Sequence, residues 1–323
     1  MNKWIMLLWI PSVLMAGVRT KEALHALAYG AEACAVLRIV DDEMAVVSNA
    51  TVVGNFHMND GKGNPFTGRT DTNGIYVAAG TCIGDWHYAV KKVGYYETFE
   101  NVRYFSPTNT QVKDGRWQPY GMTNTVVLKR KVNPVAMCVK SDREGILPPV
   151  KNEFIGFDLE KGDWVKPHGK GMHADLNLKY EYEAGAVPLL HYRGAVFFAF
   201  TNKYDGAYVV KKDTFSSFKS VYQADPHAFY RQEFAFVYDR LSGALKENSN
   251  FPESDYLVIR TRSKTDENGN LISANYAKIY GPVTTSDGGI HMEFYFNPGE
   301  NDPNLEADTT KNLLNSRELG FSP

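Results

Sequence analysis

The sequence predicts an all-β chain built as two sandwiches, on three observations. Tyr and Phe are abundant, at 19 and 18 of 323 residues, and flat rings suit a pleated, half-buried surface better than a long helix. From Cys34 onward the text is a succession of short apolar runs broken by Gly, Asn, Asp and Pro, which is how strands and turns are written. Where a run can be followed singly it alternates: between Ile290 and Phe296, Met292, Phe294 and Phe296 fall on one face, and His291, Glu293 and Tyr295 on the other. At ~100–200 residues per domain, the length accommodates two.

The order begins with Lys3 and the apolar run Trp4 to Ala16. A positive residue before an apolar stretch too short to cross ~30 Å of hydrocarbon predicts a signal peptide, residues 1–17, cut near Ala16 or Gly17. The competing expectation is a buried N-terminal helix. Export would place the mature chain outside the cell, in the periplasm or on the cell surface, with no transmembrane span after signal removal. Ala31-Glu32-Ala33 lacks the large apolar residue that a lipoprotein anchor places three before its Cys, so Cys34 is not read as lipidated. Ala-rich residues 18–33 have helical spacing and predict a leader helix. Residues 34–141 predict the first sandwich, with strands at Ala35–Val40, Ala50–Asn55, Gly74–Ala78, Trp86–Lys92 and Asn124–Arg130. Asp142–Lys151, with its charges and Pro pair, predicts the linker. Residues 150–310 predict a second antiparallel, jelly-roll-like sandwich, with strands at Gly194–Phe200, Tyr256–Arg262, Leu271–Tyr280 and Ile290–Phe296 and a tight hairpin at Asn268-Gly269. Minor helix is expected at Asp213–Tyr222 and Asp308–Leu314, and residues 311–323 as a tail. Three cysteines, Cys34, Cys82 and Cys138, leave open both a Cys34–Cys82 bridge and three free thiols.

Three motifs in the first domain occur in a family-like order: Asn49-Ala50-Thr51-Val52, then Gly68 to Tyr76 (GRTDTNGIY), then Tyr88 to Tyr96 (YAVKKVGYY). Residues 34–132 thereby resemble the carboxypeptidase regulatory-like family, which implies a transthyretin- or Ig-like β-sandwich with an accessory role. The middle motif also has a reading of its own. Asp71 can accept from amides two residues on, and Asn73-Gly74 tolerates positive φ, so Asp71, Asn73 and Gly74 predict a structural turn. In the second domain, residues 156–171 and 296–306 resemble segments of uncharacterised exported bacterial proteins that place such a domain before another β-domain, which implies architecture and not activity.

The 35 basic residues nearly balance the 37 acidic ones, so no strong field exists to attract a phosphate backbone, and nucleic acid is excluded as a partner. None of the eight histidines has Glu three residues later, as metallocarboxypeptidases require, and there is no H-E-x-x-H, G-x-S-x-G, C-x-x-C or P-loop. The densest polar segment is Asp158 to Asp175. Within it His173 and Asp175, read as sharing one strand face, can seat a divalent ion with His168 swung in, and Trp164 can stack on a sugar ring. The bland alternatives are a solvated loop and a Trp that plugs the end of a sandwich. Asp302, Glu306 and Asp308 supply the hard oxygens of a structural calcium site, against the default of a solvated tail. Asp158, Asp163, Glu293 and Asp225 are eligible as paired hydrolytic carboxylates. The expected function is a non-catalytic scaffold or ligand-binding module taking polysaccharide or an envelope protein, with no catalytic residue and no cofactor beyond that calcium. The alternatives are a carbohydrate-active or metal-assisted hydrolase in the second domain and a structural subunit of an extracellular assembly.

Overall fold

A computed structural model of the chain describes residues 20–104, 111–141, 145–185, 187, 191–213, 215–241, 246–249, 254–286, 288–315 and 323. The expected signal peptide lies outside them, as do residues 142–144 of the expected linker. Strands dominate, forming all-β sandwiches with one short helix among the described residues. Contacts divide the chain into two units, after Arg130.

In the first unit, α1 (Lys21–Tyr29) starts where the Thr20 hydroxyl accepts the Ala23 amide at 3.1 Å and stops at Gly30, whose φ of +91° ends the helical path. Residues 31–33, expected as helix, are therefore strand: β1 (Ala31–Asp41) begins at once and buries alternate side chains. It is followed by β2 (Thr51–Phe56), β3 (Asn64–Arg69), β4 (Ile75–Cys82), β5 (Asp85–Lys91), β6 (Thr98–Arg103), β7 (Val112–Lys113), β8 (Arg116–Trp117) and β9 (Met122–Leu128). One sheet has the order β4-β1-β8-β7 with β9 also beside β1; the other has the order β3-β2-β5-β6. The β1–β9 pair is parallel, a departure from the antiparallel expectation. Leu37, Ile39, Val52, Phe56, Trp86, Tyr88 and Val90 fill the core, each large side chain contributing about 1.5–3 kcal/mol of burial. The turn before β4 is held by Asp71, whose Oδ1 accepts the Asn73 amide at 2.9 Å and the Ile75 amide at 2.7 Å, with Gly74 at φ +72°. All three cysteines are free thiols, and burial pushes Cys82 and Cys138 up to about 11.

The second unit contains β10 (Val135–Lys140), β11 (Phe154–Asp158), β12 (Asp163–Trp164), β13 (Leu176–Ala184), β14 (Tyr192–Ala199), β15 (Gly206–Lys211), β16 (Glu233–Asp239), β17 (Lys246–Ser249), β18 (Asp255–Thr265), β19 (Leu271–Ser286), β20 (Gly289–Asn297) and β21 (Ala307–Asn312). The sheets run β15-β18-β19-β20-β10-β21 and β12-β11-β13-β14-β16-β17. Phe157 and Phe294 meet edge to face across them at 6.0 Å, within a core that includes Leu178, Val196, Phe198, Phe236, Ile259, Ile279 and Met292. The hairpin from β18 to β19 closes at Asp266, whose carboxylate accepts the Asn268 and Asn270 amides, with Gly269 at φ +81°.

Three expectations are corrected here. The boundary falls after Arg130 and not at Asp142–Lys151, because Val135–Lys140 buries Met137, Cys138 and Val139 beside β20 and β21 of the second unit. The described residues of Asp213–Tyr222 form no helix, because the Asp213 carboxylate takes the Phe215 and Ser216 amides and so competes with helical hydrogen bonding. Residues 308–312 of the expected Asp308–Leu314 helix are instead the end of β21, so the expected tail begins inside a strand, anchored where buried Asn312 pairs both ways with the Val139 backbone; residues 316–322 of that tail lie outside the described residues. The β20 pattern also has a second buried side. Tyr295 is fully buried, beside Lys278, whose ammonium donates to Ser220 Oγ and Tyr280 Oη and lies 4.7–5.2 Å from the ring centroids of Phe218, Tyr280 and Tyr295.

Candidate functional site

The polar segment Asp158–Asp175 folds around one guanidinium. Arg262 sits at an irregularity of the β18–β19 ladder with φ +54°, a left-handed backbone that re-aims its side chain. Its Nε and Nη2 donate to Asp175 at 2.8 and 3.0 Å, Nη1 to Glu160 at 2.6 Å and Nη2 to Asp158 at 3.2 Å. Asp158 also accepts the amides of Glu160, Lys161, Met172 and His173, and Asp175 accepts the Leu159 amide and the Thr261 hydroxyl. Both aspartates are fully buried. Burial pushes the Asp175 carboxyl up, opposed by the guanidinium, and Arg262 holds Glu160 below the usual carboxylate range. Both oxygens of each aspartate are occupied, so the cluster closes the loop instead of presenting chemistry. The glycines serve the same closure: a Cβ at Gly171 would stand 2.7 Å from the Asp158 Cβ.

The other site residues do not join them. Trp164 is buried, edge to face with Phe157 at 5.3 Å, and donates Nε1–H to the Leu147 carbonyl at 2.8 Å, the plug geometry and not a stacking platform. His168 and His173 are exposed, and the shared face expected for His173 and Asp175 is absent because both precede β13 and only Asp175 turns inward. Asp302, Glu306 and Asp308 do not converge either. Glu306 is buried and accepts the Val132 and Asn133 amides, Asp302 accepts the Asn304 amide and the Asn297 amide group, and Asp308 accepts from Thr310. No group of three metal-ligating side chains is gathered among the described residues. The eligible carboxylates are likewise engaged apart: Asp163 with the Trp164 and Lys170 amides, Glu293 with Tyr295 Oη, and Asp225 with the His227 amide.

A more open arrangement lies on the outer face of the β11-β13-β14 sheet. In the run Leu176–Ala184, Leu178 and Tyr180 point into the core, so Lys179, Glu181 and Glu183 point out. The register sets Phe154 opposite Lys179 and Lys179 opposite Phe197. The Lys179 ammonium stands 4.3 Å from the Phe197 centroid and 5.6 Å from that of half-exposed Phe154, and pairs with Glu181 at 2.8 Å. Beside this row is a shallow pocket of about 160 Å³ lined by Asn152, Glu181, Tyr182, Glu183, Arg193 and Ala195. The rings of Tyr182, Tyr192 and Tyr238, stacked in turn at 5.7 and 5.2 Å, continue the row of Tyr180 on the opposite face of the sheet and are not part of this surface. Rings, carboxylates and a guanidinium side by side can cover an apolar face and hydrogen-bond its polar rim. No motif marks these residues in the sequence; the signal is the alternation of LNLKYEYEA, whose outward members are polar or charged.

No protein-family model matches the sequence, and no curated protein matches it. Among solved structures, wild-type catechol 1,2-dioxygenase of Acinetobacter radioresistens is similar at 14% identity and TM-score 0.25, over 32% of this chain and 53% of that one. Chlorocatechol 1,2-dioxygenase of Pseudomonas putida is similar at 12% identity and TM-score 0.26, over 31% and 61%. Hydroxyquinol 1,2-dioxygenase of Pseudomonas putida DLL-E4 is similar at 12% identity and TM-score 0.24, over 32% and 57%. The chain thus spans little more than half the length of these enzymes, and a likeness this slight carries no functional argument.

Proposed function

We propose that the chain is an exported, non-catalytic β-protein that binds a polysaccharide on the outer face of β11, β13 and β14. The supporting observation is the row Phe154–Lys179–Phe197 beside the pocket of Glu181, Glu183, Arg193 and Asn152. Sugar rings present apolar C–H faces edged by hydroxyls, and exposed aromatic rings next to fixed acceptors and donors complement both. Glu181 is neutralised by Lys179, a pairing that suits binding better than proton transfer. The resemblance of residues 34–132 to an accessory family supports a scaffold role for the first unit, and the Lys3 to Ala16 pattern supports export.

Affinity electrophoresis through gels containing single polysaccharides tests this. At least one gel retards the protein, Phe154→Ala/Phe197→Ala weakens that retardation about tenfold, the loss of an anchoring contact, and no reducing ends appear. Unretarded migration of the folded protein in every gel, or release of reducing sugar, overturns it. Export is checked separately by fractionation: the mature N-terminus is expected near Ala16 or Gly17, outside the cytoplasm. No helix among the described residues is long and apolar enough to cross a membrane.

A further inference from the structure

The outer face of the β3-β2-β5-β6 sheet carries three titratable groups in a line. Trp86, Tyr88 and Val90 point into the core, so Asp85 and His87 of β5 point outward. His57 follows the end of β2, and its amide donates to the Asp85 carbonyl at 3.2 Å, which brings its ring over the same face. Its Nδ1 meets Asp85 Oδ2 at 2.9 Å, and its Nε2 meets His87 Nδ1 at 2.8 Å. The His57 and Asp85 side chains are 36% and 31% exposed, so solvent reaches the line, while the Phe99 ring flanks His87 at 5.7 Å.

An ionised carboxylate only accepts, so Asp85 keeps the proton of neutral His57 on Nδ1 and leaves a lone pair on Nε2. A carboxylate behind one imidazole nitrogen, with the other nitrogen presented outward, is how proteins orient histidine ligands for metals. The 2.8 Å between the two nitrogens is a hydrogen bond that the ion would replace. Imidazole nitrogens suit copper and nickel, and affinity among the divalent first-row ions peaks at copper.

We propose that His57 and His87 form a solvent-open site for Cu²⁺ or Ni²⁺, with water in the remaining positions and Asp85 as the positioning residue behind His57. Without the ion, His87 Nδ1 donates its proton to His57 Nε2. On binding, that proton is lost from Nδ1 and one is taken up at His87 Nε2, so the ring stays neutral and no net proton is released.

The test titrates Cu²⁺ alone into the purified full chain, read by calorimetry and electron paramagnetic resonance. One equivalent is expected to bind with nitrogen hyperfine structure. His57→Gln and His87→Gln each lower affinity at least about tenfold, Asp85→Asn lowers it roughly ten- to a hundredfold, and His291→Gln in the second unit leaves it unchanged. A His57→Gln/His87→Gln double variant that is folded by circular dichroism and binds Cu²⁺ with wild-type affinity and spectrum overturns the proposal. So does the wild type binding no more than that variant, in which case the line is a hydrogen-bonded trio only. Should the variants misfold, Cu²⁺ must shield His57 and His87 of the wild type from diethyl pyrocarbonate; absence of shielding overturns it equally.

Discussion

Two polar clusters, one in each unit, use similar residue types to opposite ends. Around Arg262, the Asp158 and Asp175 carboxylates are enclosed with the guanidinium, Glu160 closes the rim, and the aspartates are saturated by backbone amides from their own loop. On the outer face of the β3-β2-β5-β6 sheet, the side chains of Asp85, His57 and His87 meet one another and solvent, with no backbone amide on the Asp85 carboxylate among the described residues. The difference teaches that density of charge along a sequence marks loop closure as readily as chemistry. What separates them is whether amides or solvent face the polar atoms.

The largest expected effect breaks or upholds the closed side. Arg262→Ala strips a buried charge from Asp158 and Asp175 and should cost about 3–5 kcal/mol, read as a lower urea midpoint with unchanged slope; a cost near zero would erase the contrast. Glu306→Gln leaves one of the Val132 and Asn133 amides facing a donor, for about 1–3 kcal/mol, and added calcium should leave the melting temperature of the wild type where it was. Acid sharpens the comparison within the first unit. Arg130, then the Ala45 and Glu43 amides, hold nearly buried Asp41 below its ordinary 3.8. A carboxyl depressed on folding contributes stability that is present above its unfolded value and lost as the pH falls through the folded one. Wild-type stability should therefore drop below about pH 4, and Asp41→Asn should flatten that drop. The smallest effect belongs to the open side, where His57→Gln or His87→Gln should change stability by no more than about 0.5 kcal/mol.

Much of the fold was legible because side-chain period reports strand faces directly. The Asp71 and Asn268-Gly269 turns and the inward Met292, Phe294 and Phe296 follow from local chemistry that the sequence states outright. The strand Val135–Lys140 was missed because the Pro pair downstream looked like a stronger break, and β21 because Asp308 and the residues after it carry no apolar alternation. Sites were less legible. Asp175 and His173 are two apart, but only a strand would give them one face, and the chain enters β13 after them. Phe154, Lys179 and Phe197 are 25 and 18 residues from one to the next, and His57 and His87 are 30 apart. Such neighbours are joined by register, which a single sequence does not display.

The sealed ammonium of Lys278 has a practical consequence. Caged by Phe218, Tyr280 and Tyr295 and wholly inaccessible, it is shielded from acylating reagents for as long as β19 and β20 stay packed beneath the loop that carries Phe218. Exposed lysines such as Lys264 would be labelled first. The rate at which Lys278 acquires a label is therefore a clock for the opening of that sheet, one that runs without any probe being added to the chain.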